Sequence, residues 1–443
     1  MALSLQTFHV LTATAAASDD QDAGIPARGL HGEGYRGHIF WDELFVYPML
    51  TLRRPDLTRS LLLYRFRRLD AARDAARRAG FRGAMYPWQS GSDGRDETPT
   101  TLFNTRDGDW ISDHSYRQRH VGLAIAYSVW RYYQTTGDID FLTRYGIELL
   151  VEIARFFASL ATPDETGNRF SIDSVMGPDE FHDGYPGNSG GGVRNNAYTN
   201  ILAAWVLARA IEAAEVPTGG DRESLWNRLG MDEAELNSWD AISRRLTVVF
   251  HSDGVISQFE GYEKLKEFDW EGYQARYGNI GRLDLILQSE GDSTNNYRLS
   301  KQADVLMIFY LFSAEELQDI FDRLGYHLRP QQIPRTVHFY LSRTSHGSTL
   351  SRVAHSWVLA RSNRRKSWSL FRQALDSDLD DTQGGTTAEG IHLGAMAGTV
   401  DMVLRCYGGV ETRDGALWLH PVLPPGTARC PLSTAVPGSA HQR

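Results

Sequence analysis

Apolar residues at helical spacing constrain the fold of this chain more than any other feature. They recur every three or four residues in segments 121–133, 141–160, 201–214, 236–250, 303–312, 357–375 and 396–407. The stretches between these segments often carry Gly, Pro, Asn and Asp, which favour turns. No series of alternating strands links the segments, so the pattern argues against a parallel βαβ plan and favours a helical domain.

Composition narrows the class of protein further. With 443 residues, of which 42% are hydrophobic and 23% charged, the chain can bury the core of one large domain. A net charge of -9 gives no reason to expect a nucleic acid or an anionic membrane as a partner. The two cysteines, Cys406 and Cys430, make a disulfide framework unexpected. Without a signal segment or a membrane-length apolar run, we expect a cytoplasmic protein.

An acidic loop is the strongest candidate for chemistry. Residues 176–182 read Met-Gly-Pro-Asp-Glu-Phe-His, and a glycine-rich run separates them from Arg-Asn-Asn-Ala-Tyr-Thr-Asn at 194–200. Gly177 and Pro178 predict a turn that holds a carboxyl group out into a cleft. The plainer alternative is an acidic turn followed by a helix cap at Asn195 or Asn196.

Aromatic residues stand beside carboxylates in two further clusters, at 34–43, which contains Trp41 and Asp42, and at 86–94, which contains Trp88. A flat aromatic face next to a carboxylate suits a sugar ring, although a core tryptophan beside a capping aspartate gives the same pattern.

Lys301 and Gln302 precede an apolar helix. Because a lysine is unfavourable at a helix start, its position suggests a carboxylate or a ligand hydroxyl as its partner. A solvated lysine is the plainer alternative.

Residues 323–375 contain no Asp or Glu but nine Arg, one Lys and four His. This bias predicts a region that attracts anions. Within it, Thr-Ser-His-Gly-Ser-Thr-Leu-Ser at 344–351 could bind phosphate through hydroxyls and backbone N–H groups, with His346 as a further donor. A Ser/Thr helix cap with surface arginines is the alternative. Residues 384–392, which end at His392, repeat the composition and could complete the same pocket.

Taken together and in this order, these motifs resemble the inverting α-glucoside phosphorylases of glycoside hydrolase family 65, such as maltose, trehalose and kojibiose phosphorylases. The resemblance runs from about Gly34 to Leu423 and implies an (α/α)6 barrel. Relatives also carry an N-terminal β-sandwich and a C-terminal β-sheet domain. We therefore expect the barrel at 1–408, the start of a truncated β region at 409–443 with a strand from Ala416, and a chain that is a fragment of something larger.

The resemblance also assigns roles to residues. Glu180 is the general acid; Trp41, Asp42, Trp88, Lys301 and Gln302 hold the glucosyl unit; His346, Ser348, Thr349 and His392 bind inorganic phosphate, which is the nucleophile. No metal or organic cofactor is expected, and the partners are a disaccharide and phosphate, with a homodimer possible.

Two other functions stay open at this point. A hydrolase of the same fold needs a second carboxylate opposite Glu180, and Asp376 or Glu389 could supply it. The other reading is a truncated sugar-binding remnant without turnover. For a phosphorylase, the absence of acidic residues around His346 is favourable, because a carboxylate there would repel phosphate.

Overall fold

Helices make up most of the protein, as the residue pattern predicts. The structure is a computed structural model that describes residues 1–17, 20–413 and 416–424. The α-helices in these ranges are α1 (Ala2–Thr14), α2 (Glu43–Thr51), α3 (Pro55–Arg67), α4 (Leu69–Arg78), α5 (Val121–Thr136), α6 (Ile139–Phe141), α7 (Ile147–Leu160), α8 (Ala197–Glu215), α9 (Gly219–Leu229), α10 (Glu233–Ser243), α11 (Trp270–Tyr277), α12 (Leu283–Ser289), α13 (Val305–Leu311), α14 (Ala314–Arg323), α15 (Gln332–Leu341), α16 (Thr349–Leu359), α17 (Arg364–Leu375) and α18 (Leu393–Asp401).

Six of these helices form a closed inner ring. Each contacts the next in the order α2, α5, α8, α13, α16 and α18, and α18 returns to contact α2. Other helices pack on the outside of the ring, among them α1, α3, α7, α10, α14 and α17. An inner ring of helices inside an outer layer is an (α/α)6 barrel, which confirms the expected fold.

Residue type explains which helices are inside. All residues of α13 and α18 are buried, so these helices are covered on every face. Helix α14 buries only Leu317, Ile320 and Phe321, which form one stripe, and its other residues are exposed or half-buried. A helix that is apolar all round suits the centre of a domain, whereas a one-stripe helix suits its outer layer.

One predicted helix is two helices in the structure. Segment 357–375 is interrupted between the end of α16 at Leu359 and the start of α17 at Arg364. The side chain of Asn363 accepts a hydrogen bond from the backbone of Lys366 and so caps α17. Helix α10 also ends earlier than the apolar pattern, at Ser243 instead of 250.

The strands of the described residues are short and pair in three antiparallel hairpins: β1 (Thr101–Phe103) with β2 (Trp110–Ser112), β3 (Thr162–Pro163) with β4 (Phe170–Ser171), and β5 (Val410–Arg413) with β6 (Ala416–Leu419). The strand expected from Ala416 is therefore present. The rest of the predicted C-terminal region, residues 425–443, lies outside the described residues, and the division at 408 stays a prediction. None of the helices in the described ranges has the length and apolar character needed to span a membrane.

Close backbone packing joins the two ends of the barrel sequence. Gly29 N–H donates to Ile391 O at 2.8 Å. A Cβ on Gly32 would lie 2.2 Å from the carbonyl oxygen of Glu389, and one on Gly29 would lie 2.3 Å from Cγ1 of Ile391. Only glycine allows this approach, which places the segment before α2 against the segment before α18.

Gly32→Ala should therefore destabilise the protein, because the new methyl group meets backbone rather than a movable side chain. We expect a loss of about 1–3 kcal/mol in the free energy of unfolding, measured by denaturant titration. Gly220→Ala is the matched control, since its Cβ would meet nothing within 4 Å and alanine favours a helix. Equal stability of the two variants would contradict this packing.

Candidate active site

A cavity of about 1130 Å³ opens at one end of the barrel. Its wall includes the segments that lead into the inner helices α2, α13, α16 and α18. Nine of the ten predicted site residues line it: Trp41, Asp42, Trp88, Glu180, Lys301, Gln302, Ser348, Thr349 and His392.

Glu180 is held by both of the polar residues that precede α13. Lys301 Nζ donates to Oε2 at 2.7 Å, and Gln302 Nε2 donates to Oε1 at 2.8 Å. Burial alone would lower the pKa of Lys301, but the Glu180 charge outweighs it and the pKa is raised. Lys301 is therefore a charged lysine with the carboxylate partner that its position in the sequence suggested.

The backbone of the 176–182 loop is tightly constrained. Glu180 has φ +64°, in the left-handed region that few side chains other than glycine adopt. A Cβ on Gly177 would lie 2.0 Å from Oδ2 of Asp304 and 2.4 Å from Nδ2 of Asn196. Asn196 also caps α8 by accepting from the Thr199 N–H at 2.9 Å. The segment thus contains both features that the sequence offered: Asn196 caps a helix, and Glu180 presents its carboxyl group to the cavity.

The neighbours of Glu180 in the chain are anchored in protein. Asp179 Oδ2 lies 2.7 Å from Nδ1 of His182, whose Nε2 lies 3.1 Å from the carbonyl oxygen of Tyr297. Both ring nitrogens face acceptors, so both contacts are hydrogen bonds only when each nitrogen carries a hydrogen. Phe181 packs in a second apolar cluster with Phe268 and Leu283. Glu180 therefore extends from a loop that is fixed on both sides.

Aromatic rings form one wall of the cavity. The ring centroids of Trp41 and Trp88 are 6.4 Å apart, and His120 lies 4.9 Å from Trp41 and 5.5 Å from Trp88. Burial lowers the pKa of His120 to about 3, so it is an uncharged ring. Asp42 stands at the N-cap of α2, but its side chain makes no capping hydrogen bond. Asp42 instead lines the cavity.

The loop before α16 brings hydroxyl groups and a helix N-terminus into the same cavity. Ser348 caps α16 by accepting from Leu350 N–H at 3.3 Å, and the first turn of α16 has no acidic residue. Gly347 N–H donates to Lys301 O at 2.9 Å, and its Cβ would lie 2.0 Å from Gly281 O. This helix start has the charge and the donors that suit an anion.

His346 is the predicted site residue that is absent from the cavity lining. Its Nδ1 lies 2.8 Å from Oγ of Ser351, and its ring packs edge-on against His355. Burial, followed by the charge of His355, holds the pKa of His346 well below its usual value. Its assignment to phosphate stays a prediction.

The positive charge in the cavity does not come from the arginine-rich segment. Of the nine arginines in residues 323–375, none lines the cavity. Arg323 pairs with Asp240 at 2.7 Å and Arg343 with Glu267 at 2.6 Å. The cationic residues of the lining are instead Lys301 and three arginines from elsewhere in the chain, Arg28, Arg36 and Arg282.

The two candidate bases for a hydrolase differ in position. Asp376 lies just after α17 and is not part of the cavity wall. Glu389 lines the cavity, but 62% of its side chain is exposed, and it faces Arg28 at 3.7 Å. Among the described residues, no group of three or more His, Cys, Asp or Glu side chains is arranged to hold a metal ion.

Comparison with known proteins decides the family. Residues 4–401 match the family model described as "Glycosyl hydrolase family 65 central catalytic domain". The chain belongs to glycosyl hydrolase family 65. An uncharacterized glycosyl hydrolase of Mycobacterium tuberculosis is 57% identical over 420 residues, which is 95% of this chain and 32% of that protein. The trehalose 6-phosphate phosphorylase of Lactococcus lactis is 39% identical over 95% of this chain and 53% of its own length.

Kojibiose phosphorylases are also similar. The one from Caldanaerobacter subterraneus is 33% identical over 96% of this chain and 52% of its own length. Among solved structures, a putative kojibiose phosphorylase from the human microbiome superposes with a TM-score of 0.79 at 23% identity, covering 95% of this chain and 57% of that one. The chain thus spans about a third to about half the length of these curated relatives.

Several residues of this family 65 site have no clear sequence signal. His120 is the residue before α5 and has no motif around it. Arg28, from a distant part of the chain, and Asp378, 14 positions away, contact His392 at Nη1–Nε2 and Oδ1–Nδ1 distances of 2.6 and 2.7 Å. The glycines at 29, 32 and 34 were the one available hint for Arg28, because such spacing indicates close backbone packing.

Asp42 gives the family 65 domain a pH-dependent stability. Burial raises its pKa to about 7, while the charge of Arg28 opposes the shift. An unfolded aspartate has a pKa near 3.9, so the folded protein keeps a proton that the unfolded chain releases from about pH 4 upward. Stability contributed by this site is therefore lost as the pH rises from about 4 to about 7.

Asp42→Asn should escape this loss, because the amide stays neutral. Relative to wild type, we expect its free energy of unfolding to rise by about 4 kcal/mol between pH 4 and pH 8, measured by denaturant titration at each pH. Glu165→Gln, an exposed loop substitution, is the control and should show a flat difference. A flat difference for Asp42→Asn as well would mean that Asp42 is ionised in the fold.

Proposed function

We propose that this chain is the catalytic domain of an inverting α-glucoside phosphorylase. Glu180 protonates the glycosidic oxygen, and inorganic phosphate attacks the anomeric carbon from the opposite face. The products are β-glucose 1-phosphate and the free acceptor. The aromatic wall of Trp41 and Trp88, together with Asp42, receives the glucosyl ring.

The observation that carries this proposal is the double role of Lys301. Its ammonium group contacts Glu180, while its backbone carbonyl accepts from Gly347, one residue before the hydroxyl-bearing cap of α16. The proposed acid and the proposed anion site are therefore joined through one residue. Phosphate is already a nucleophile, so a phosphorylase needs this anion site in place of a carboxylate base.

Relatives named as phosphorylases support the same reading. The relatives with named substrates act on trehalose 6-phosphate and on kojibiose, and another, from Bacillus selenitireducens, is named for 1,2-α-glucosylglycerol at 32% identity. The substrate panel for this chain therefore includes trehalose, trehalose 6-phosphate, kojibiose, maltose and glucosylglycerol.

The direct measurement is formation of β-glucose 1-phosphate from each substrate, with and without phosphate, followed by NMR so that the anomer is seen. Glu180→Gln should lower the turnover number on the natural substrate roughly 10²–10⁴-fold, because it removes the proton donor. On α-glucosyl fluoride, whose leaving group needs no proton, the same variant should keep most of its phosphate-dependent activity.

Other outcomes assign other functions. Glucose release without phosphate, abolished by Glu389→Gln, would make the protein a hydrolase with Glu389 as its base. Sugar binding without any turnover by the folded protein would support the inactive remnant. If Glu180→Gln lost activity equally on the fluoride, Glu180 would not be the acid.

A further inference from the structure

The cluster around His392 contains a charged group that the predicted site did not include. Arg28 is 5% exposed and lines the cavity. Its Nη1 donates to the carbonyl oxygens of Thr386 and Gly390 at 3.1 and 2.8 Å and contacts Nε2 of His392 at 2.6 Å. The two hydrogens of Nη1 are shared among these three acceptors, which fixes the orientation of the guanidinium.

The tautomer of His392 follows from these contacts. A guanidinium can only donate hydrogen bonds, so Nε2 of His392 must accept from Arg28 and carries no hydrogen. The hydrogen is then on Nδ1, which donates to Oδ1 of Asp378 at 2.7 Å. Asp378 is held in turn by Thr387 and by the backbone N–H of His392. In this arrangement His392 has no hydrogen left to donate to a phosphate.

The other edge of the Arg28 guanidinium is still available. Its Nε is buried and has no hydrogen-bond partner among the described residues. Its Nη2 has only the exposed Glu389 carboxylate at 3.7 Å, which is beyond hydrogen-bond distance. Nε and Nη2 lie on the same edge, and two parallel N–H groups on one edge bind the oxygens of a phosphate or a carboxylate in a fork. A buried donor without a partner is costly, so a ligand there would be stabilising.

Helix starts and Arg28 meet in one region of the cavity. A Cβ on Gly394, in the first turn of α18, would lie 3.0 Å from Cδ2 of Leu350 in α16 and 3.1 Å from Oδ1 of Asp42. The N-terminal turns of α16 and α18 are thus adjacent. An anion at the Ser348 cap would be close to the segment that Arg28 and His392 hold together.

We propose that Arg28 binds the phosphate co-substrate with its Nε–Nη2 edge, and that His392 is a positioning residue that acts through Arg28. The inference rests on the proposed phosphorolysis and deepens it. Asp378 orients His392, His392 orients Arg28, and Arg28 contacts the anion. The assignment of phosphate binding to His392 itself is thereby replaced.

A double-substitution cycle tests this order. Arg28→Gln should weaken phosphate binding roughly 10- to 100-fold, seen as a rise in the Kd by tryptophan fluorescence or calorimetry and in the KM for phosphate, with kcat at saturating phosphate changed less than about threefold. Arg28→Lys keeps the charge but loses the fork, so its effect should be intermediate. His392→Asn keeps a donor for Asp378, cannot reach Arg28, and should weaken binding by a similar factor.

The decisive result is the double variant. If His392 acts only through Arg28, His392→Asn should add less than about twofold to the effect of Arg28→Gln. Full additivity would show that His392 binds phosphate itself and would overturn the proposal. Phosphate binding like that of wild type in both Arg28 variants would overturn it as well. Arg329→Gln is the control, an exposed arginine that does not line the cavity, and should leave the Kd within about threefold.

Failure of the proposed function looks different. Sugar release that does not need phosphate would refute phosphorolysis. The Arg28 site would still be supported in that case if the Arg28→Gln variant loses the phosphate binding of the wild type. A wild-type chain that neither binds nor uses phosphate would overturn both. Thermal unfolding of each variant shows whether it is folded before its Kd is compared.

Discussion

The position of Glu180 depends on buried polar contacts beneath its loop. Asp304 accepts from Asn196, and burial together with the charge of Asp179 raises the pKa of Asp304 well above its usual value. This shift favours the neutral form of Asp304, while Oδ2 of Asp179 lies 2.7 Å from Nδ1 of His182. A left-handed non-glycine residue costs about 1–2 kcal/mol. These contacts, and the absence of a side chain at Gly177, offset that cost and keep the carboxyl group in the cavity.

Closure of the helical ring assembles the rest of the site. Helix α18 packs on α2, so residues near both ends of the barrel sequence share one wall, while Glu180 and Lys301 come from its middle. Each inner helix buries most of its surface, and its N-terminus at the cavity is where side chains and backbone N–H groups are left for a ligand. The contacts that stabilise the ring therefore also set the geometry of the cavity, so a change at Gly32 affects both.

Short motifs in the sequence predicted those structural features that depend only on neighbouring residues. The caps at Asn196 and Ser348, the unfavourable lysine before α13, and the pairing of Trp41 with Asp42 were all visible in a few residues. The cap at Asn363 was visible too, but the apolar pattern on both sides of it led to one predicted helix in place of two. The arginine-rich segment misled for another reason, since composition does not show that Arg323 and Arg343 pair with acids outside the segment.

Contacts between distant segments were beyond such reasoning. Arg28 and His392 are 364 positions apart, and the tautomer of His392 depends on that contact together with the one to Asp378. Sequence motifs thus identified the residues around the cavity better than they identified which atom of each residue is free for a ligand.

The shared use of Lys301 links the two halves of the proposed site. Its ammonium group contacts Glu180, and its backbone carbonyl accepts from Gly347 in the loop before α16. A phosphate bound at the start of α16 would bring negative charge into the cavity and would attract the Lys301 ammonium group. Water carries no net charge and would leave the ion pair between Lys301 and Glu180 unchanged, so the pair distinguishes the two nucleophiles by charge.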